Sequence, residues 1–374
     1  MLKSFTVSNF KLFKNKVKID FSATGDYSFN TEAITNGIVK TAIMYGKNAS
    51  GKSSLGLAIF DIVANLTDHY VDRYQYINFH NLYSDNEIVS FEYVFSFSNA
   101  DVIYSYTKNS DGRLISEKLS VGDMVFAEYN RIKSNKKVNL NFKGSENVVL
   151  NLERLNFSII RFVKSNILLA NDRINKIFEE FYAFVDKMLM FWCLENRGFI
   201  GYSPAPKQCI AEKIIKDGLF SDLQNFFKAA GFEDVLDHAI MNGQEQLLIK
   251  YGNNKTLDFN HAASSGMKSL LLVYFWLRDI ADITKCPSFI FIDDFDAFYH
   301  FELSYFIIER LKSYNCQVLL TAHNTSVFTN DLLRPDCYYI CSKDEIVNAR
   351  NAAKQELRFG HNLEYFYKGG KFGK

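Results

Sequence analysis

Residues 2–8 and 16–21 alternate apolar and polar side chains, the pattern of two half-buried strands, joined by "NFKLFKN". "TAIMY" (41–45) is a continuous apolar run, which predicts a strand buried on both faces. It stops at Gly46, and "SSLGLAIFDIVANL" from Ser53 reads as a helix. Residues 88–130 are rich in Val, Tyr, Phe and Ile with the turn signal "KNSDG", and predict an antiparallel meander. "RIKSNKK" (131–137) reads as a solvated basic turn. Over 155–245 the pattern becomes helical, with "RINKIFEEFYAFVDKMLMFW" and "IAEKIIKDGLFSDLQNFFKAAG" as long helices of an inserted lobe. After "QLLIKYG", strands and helices alternate again, and "SFIFI" (288–292) and "CQVLLTA" (316–322) are two more buried-type strands. The expected organisation is an N-terminal part of an α/β core (1–154), a helical insertion (155–250) and a C-terminal part of the core (251–374).

Composition changes this picture little. With 374 residues, 48% hydrophobic and 23% charged, the chain suits one large folded domain or two ordinary ones. A net charge of +1 makes no electrostatic case for a nucleic-acid or membrane partner, although a local basic patch stays open. No window approaches 18 consecutive apolar residues, so no membrane partner is expected, and the N-terminus lacks the apolar block of a signal peptide. Six scattered cysteines suit a reducing cytoplasm. Cys337 and Cys341 lack a second Cys/His pair and read as ordinary thiols rather than a zinc site.

The chemistry begins at Gly46-Lys-Asn-Ala-Ser-Gly51-Lys52-Ser53, which fits G-x-x-x-x-G-K-[ST] without mismatch between a buried strand and a helix. Glycines allow a tight turn whose backbone N–H groups cradle phosphate, and the helix N-terminus favours the same anion. Gly46, Asn48, Ser50, Gly51, Lys52, Ser53 and Ser54 are the expected ATP contacts, with Lys52 on the β- and γ-phosphates and Ser53 on Mg²⁺. "PSFIFIDDFDAFYH" (287–300) supplies a buried strand ending in acid. Asp293 is the expected Mg²⁺ residue and Asp294 the group that polarises water; the bland alternative is a pair of turn or cap acids.

Two further stretches narrow the type. "NHAASSGMKSLLLVYFWL" (260–277) is a small-residue turn opening an apolar helix, and "LLTAHNTSVF" (319–328) ends a buried strand on His323. The order of the four motifs resembles the ABC-type ATPase head of SMC, RecF and OLD-like proteins. "SSGMKSLL", "IDDFDAFYH", "TAHNTSVF" and the opening "VSNFKLFKN" look most like the ABC-headed AAA-type ATPases of prokaryotic abortive-infection and anti-phage systems. That resemblance implies an α/β P-loop fold of ABC-head type: a mixed sheet, an antiparallel β subdomain and a helical insertion.

The resemblance also implies site roles. Ser264 and Gly266 stand where the ABC signature has its Ser and second Gly, whereas Ala263, Ser265 and Met267 depart from it. His323 matches the switch histidine at the γ-phosphate, and Asp294 replaces the usual glutamate. Signature and nucleotide then meet between two copies, giving a head-to-tail homodimer around two ATP, with a larger oligomer also open. Gln75 is a candidate Mg²⁺-sensing glutamine, and His261 and His300 are candidates for the dimer rim; Trp192 and Trp276 read as core.

OLD-like proteins that act alone carry a nuclease domain after the head, and the short stretch after His323 shows no acidic cluster. The expectation is therefore a sensor or switch ATPase controlling a separately encoded effector, a nuclease or other toxin. Two rivals stand beside it. A RecF- or SMC-like DNA clamp predicts salt-sensitive DNA binding. A transporter subunit predicts a permease partner, but the insertion is long and the signature degenerate for that class.

Overall fold

The computed structural model describes residues 1–69, 71, 73–132, 138–146, 150, 157–192, 199–202, 210–232, 235–241, 243–252, 255–281, 285–297 and 301–372. The chain opens with the expected strand pair, β1 (Leu2–Ser8) and β2 (Val17–Asp20). A small hairpin, β3 (Ile34–Thr35) and β4 (Ile38–Val39), leads into β5 (Thr41–Tyr45), all five residues of which are buried. Helix α1 (Lys52–Leu66) follows. The predicted meander is β6 (Val89–Phe97), β7 (Ala100–Lys108), β8 (Leu114–Val121) and β9 (Met124–Asn130), with β10 (Asn139–Leu140) at its edge. These strands form one antiparallel sheet in the order β10-β9-β8-β7-β6-β1-β2.

Next come α2 (Ile159–Asn166), α3 (Arg173–Asp186), β11 (Met188–Trp192), β12 (Phe199–Gly201), α4 (Ile210–Lys216) and α5 (Phe220–Ala229). A three-stranded sheet, β13 (Val235–Met241), β14 (Gln244–Lys250) and β15 (Thr256–Asp258), precedes α6 (Phe259–Ala262) and α7 (Ser265–Ala281). The chain closes with β16 (Phe289–Asp293), α8 (Phe301–Ser313), β17 (Gln317–Thr321), β18 (Tyr338–Cys341), β19 (Ile346–Asn348), α9 (Ala349–Ala352) and α10 (Leu363–Lys368). The second large sheet runs β12-β11-β16-β17-β5-β18-β19. Its five inner strands are parallel, and its two edge strands are antiparallel. Among the described residues no helix is long and apolar enough to cross a membrane.

The helical reading of 155–250 needs correction. The pattern predicts a helix through Trp192, but α3 stops at Asp186, and the five buried residues "MLMFW" form β11, paired in parallel with β16. A short apolar run buried on both faces is strand-like by length, and periodicity alone cannot separate it from the end of a helix. Gly218 (φ 72°) likewise splits the second predicted helix into α4 and α5. The segment thus supplies strands to the parallel sheet as well as helices. Residues 133–137 of the basic turn lie outside the described residues.

Helix α1 lies between the two large sheets. Ala58, Asp61 and Asn65 share one face of the helix, three and four residues apart. Tyr93 on β6 and Tyr104, Tyr106 and Lys108 at alternate positions of β7 meet that face. The Tyr93 hydroxyl donates to the Ala58 carbonyl (2.9 Å), Asn65 Nδ2 to the Tyr104 hydroxyl (2.8 Å) and the Tyr106 hydroxyl to Asp61 Oδ2 (2.8 Å). Lys108 Nζ also donates to Asp61 Oδ2 (2.6 Å), in a nearly buried ion pair. On the parallel-sheet side, Gly56 leaves room for the Phe291 ring; a Cβ there would lie 2.5 Å from it. The seam continues to α2, where buried Glu117 accepts from Tyr104 (2.6 Å), from the Ser158 hydroxyl and from the Ile159 N–H (2.8 Å).

Removing one partner of a buried ion pair strands the other charge. Lys108→Met should therefore cost about 3–5 kcal/mol in chemical denaturation, and Asp61→Asn combined with Lys108→Met should cost less than the single change. Burial pushes the Glu117 carboxyl above its ordinary value, against the hydrogen bonds that favour its charge. Its stabilising contribution is complete below the unfolded-state value and is lost as pH rises through the raised native one. The stability gap between wild type and Glu117→Gln should therefore narrow as pH rises from the ordinary carboxylate range toward neutrality.

Candidate functional site

Parallel β5, β16 and β17 end on the same edge of the sheet, the place where α/β sheets present their loops to ligands. From Tyr45 the chain enters the Gly46–Gly51 turn and then α1. Ala49 (φ 58°) and Gly51 (φ 111°) both adopt left-handed backbone, and a Cβ on Gly51 would lie 2.7 Å from the Phe13 ring. A Cβ on Gly46 would lie 2.6 Å from the Cys341 carbonyl oxygen. Cys341, at the end of β18, supports the loop from below through Sγ···O=C of Ser50 (3.6 Å), and burial pushes its thiol up to about 11.

Lys52 is only 6% exposed, and its Nζ donates to the Gly46 carbonyl (3.0 Å) across the turn. The Ser50 hydroxyl is buried without a hydrogen-bond partner. An unpaired hydroxyl, a lysine folded over its own loop and a glycine cradle closed to any side chain fit a phosphate chain. The cleft holds 260 Å³ and is lined by the loop from Asn48 to Ser54, by Leu12, and on the far side by Asp294 and His323. It thus gathers Asn48, Ser50, Gly51, Lys52, Ser53, Ser54, Asp294 and His323, with Gly46 at its root.

Asp293 ends β16 and is 3% exposed. Burial pushes its carboxyl up, and Asp294 adds to the rise; hydrogen bonds from Ser53 and Thr321 and the charge of Lys52 oppose it. Asp293 with the Ser53 hydroxyl makes a hard oxygen pair of the kind Mg²⁺ takes beside phosphate. Asp294 has left-handed backbone (φ 49°), which turns it out of the strand, and its Oδ1 lies 3.1 Å from His323 Nε2. The Thr321 hydroxyl fixes both acids: it donates to Asp293 Oδ1 (2.7 Å) and accepts the Asp294 N–H (2.8 Å).

The sequence reading missed Thr321, Leu12 and Asp296. Thr321 announced itself only as a polar residue closing an apolar run, and Asp296 only as a third acid in "DDFDAF". Asp296 is 7% exposed, and its carboxyl is pushed up by burial despite the N–H groups of Asn324 and His323 that it accepts. Ser264 and Gly266 do not line the cleft: the Ser264 hydroxyl caps the start of α7 by accepting the Met267 N–H (3.2 Å), and Gly266 lies in the first turn of that helix. Gln75, in a short turn at Arg73–Tyr76, is also outside the lining. His261 is exposed, and its N–H donates to the Asp258 carboxylate (3.2 Å) that caps α6. Trp192 is buried in β11; His300 and the Trp276 side chain lie outside the described residues.

One family model matches most of the chain. The family model described as "AAA domain, putative AbiEii toxin, Type IV TA system" matches residues 42–329, from β5 past the histidine turn. The sequence matches no curated protein. Among solved structures, the SMC head domain from Thermotoga maritima is similar at 13% identity and a TM-score of 0.46, over 93% of this chain and 98% of that one. An SMC head with coiled coil and joint from Pyrococcus yayanosii is similar at 10% identity and a TM-score of 0.48, over 93% and 96% of the two chains.

Gly46→Ala should lower nucleotide affinity at least about tenfold, because the added methyl must displace either the loop or the Cys341 carbonyl. Titration of a fluorescent ATP analogue against the folded variant measures this.

Proposed function

The chain belongs to this family of AAA domains, and on that premise we propose that it is an ATP-driven switch in the cytoplasm that controls a separately encoded effector in anti-phage defence. The carrying observation is the cleft itself, in which the phosphate loop faces the Asp294–His323 pair at 3.1 Å. Lys52 and the loop N–H groups hold the β- and γ-phosphates. Ser53 and Asp293 would hold Mg²⁺, which when bound would supply charge neutralisation on the phosphate oxygens. Asp294 orients and polarises a water for attack on the γ-phosphorus, and His323 donates to a γ-phosphate oxygen. As the new P–O bond forms, the bond to the β–γ bridging oxygen breaks, ADP leaves with that electron pair, and the water proton passes to Asp294. The carboxylate arm is short and shared with His323, which favours slow turnover and a long-lived bound state.

The exposed start of α7, with Ser264 and Gly266 away from this chain's own cleft, supports their use on a second copy. ATP then closes a two-fold homodimer. An effector that binds the closed and open dimers differently is held or released by that closure, and without such a difference no signal passes. The family's description as a putative AbiEii toxin of a type IV system supports a toxin–antitoxin setting; the separate effector, with a nuclease as its form, is the part proposed.

Lys52→Ala should abolish ATP binding and, in cells carrying the native operon, protection against phage; protection that survives the change contradicts the switch. Asp294→Asn should bind ATP while turnover falls ~10²-fold or more, measured by phosphate release. Salt-sensitive retention of DNA by the closed dimer, with no partner protein, would favour a DNA clamp instead.

A further inference from the structure

We propose that Asp296 is a positioning residue for hydrolysis, fixing the backbone turn that carries His323 while the C-terminal helix α10 braces the same turn from the other side. The inference rests on the reading of His323 as the γ-phosphate contact.

The His323 side chain is 47% exposed at the cleft, and its ring has Asp294 as its ion partner. Its aim depends on that ion pair and on its backbone, and Asp296 holds the backbone. Asp296 Oδ2 accepts the N–H of His323 (3.1 Å) and of Asn324 (2.7 Å), two successive donors closed on one buried carboxylate. Charge-assisted bonds of this kind are about twice as strong as neutral ones. Asp296 follows Asp293 by three residues, so the acidic segment and the histidine turn move as one piece. The turn is then shaped by Asn324, whose Oδ1 accepts the Ser326 N–H (3.0 Å) and whose carbonyl accepts the Tyr45 hydroxyl (3.2 Å).

The second brace comes from the chain's last described helix. The Thr325 hydroxyl donates to Glu364 Oε1 (2.7 Å), which Lys368 also binds (2.7 Å). Phe328 stacks on Tyr45 at 4.8 Å and meets Tyr367 and Phe372 of the tail at 5.5 and 5.7 Å. The loop-bearing end of β5, the histidine turn and α10 thus share one aromatic cluster. A displaced α10 would slacken the turn and misplace His323, and misplacement by about 1 Å is enough to cost ~10²-fold in rate.

Steady-state Mg-ATP turnover of the full chain tests this, alongside ATP-analogue affinity and melting temperature. Asp296→Leu, similar in size but unable to accept, should lower kcat ~10-fold or more with KM for ATP nearly unchanged. Asp296→Asn, whose oxygen can still take both N–H groups, should keep most of the activity. In a His323→Ala background, Asp296→Leu should add no further loss. Wild-type kcat in folded Asp296→Leu, or losses that add in the double variant, would overturn the proposal. Should Asp296→Leu fail to fold, Thr325→Val carries the test: a lower kcat at unchanged KM supports the brace, and an unchanged kcat overturns it. A His323→Ala protein that turns over normally would defeat the functional reading itself, whereas a slow His323→Ala beside a normal Asp296→Leu defeats this inference alone.

Discussion

Ala58, Asp61 and Asn65 tie one side of α1 to tyrosines of the antiparallel sheet, while Gly56 on another side admits Phe291 of the parallel sheet. The helix that opens at the phosphate loop is therefore held from two directions. Buried polar bonds of this sort contribute only about 1 kcal/mol each on balance, but leaving one unmade costs more, so they specify position more than they add stability. A helix so held presents its N-terminal N–H groups and its dipole at a fixed point. A phosphate ligand would then meet a prepared site rather than one that must be assembled on binding.

The candidate reacting groups reach that point through the parallel sheet. β16 and β17 lie side by side, so Asp293 and Thr321 come within 2.7 Å across the strands, and one hydroxyl orients both acids. The left-handed turn at Asp294 then swings its carboxylate toward His323. Strained backbone at such a residue persists when its surroundings over-determine it, and here Thr321 and the parallel ladder do so. Burial raises Asp293, and Lys52 opposes the rise. A cation bound beside it would oppose the rise further.

Much of this was legible in the chain. The glycine spacing of 46–51, the buried run before it and the acids after "FIFI" each carry a local physical signal, and each stands where the pattern predicts. Two kinds of feature were not legible. "MLMFW" continues a helical pattern in composition, and only its pairing with β16 makes it a strand. Thr321 and Asp296 act through contacts across 27 or 28 residues of sequence, which no local pattern encodes. Ser264 is a milder case: its role as a helix cap is local and visible, whereas it stands outside the lining of the cleft.

On the proposed reading, ATP in this cleft closes two chains upon each other. Light scattering of the Asp294→Asn protein with and without Mg-ATP tests it most directly, because slow turnover preserves the bound state. One chain's mass is expected without nucleotide and at least twice that mass with it. A single-chain mass in both conditions, with ATP demonstrably bound, would contradict it.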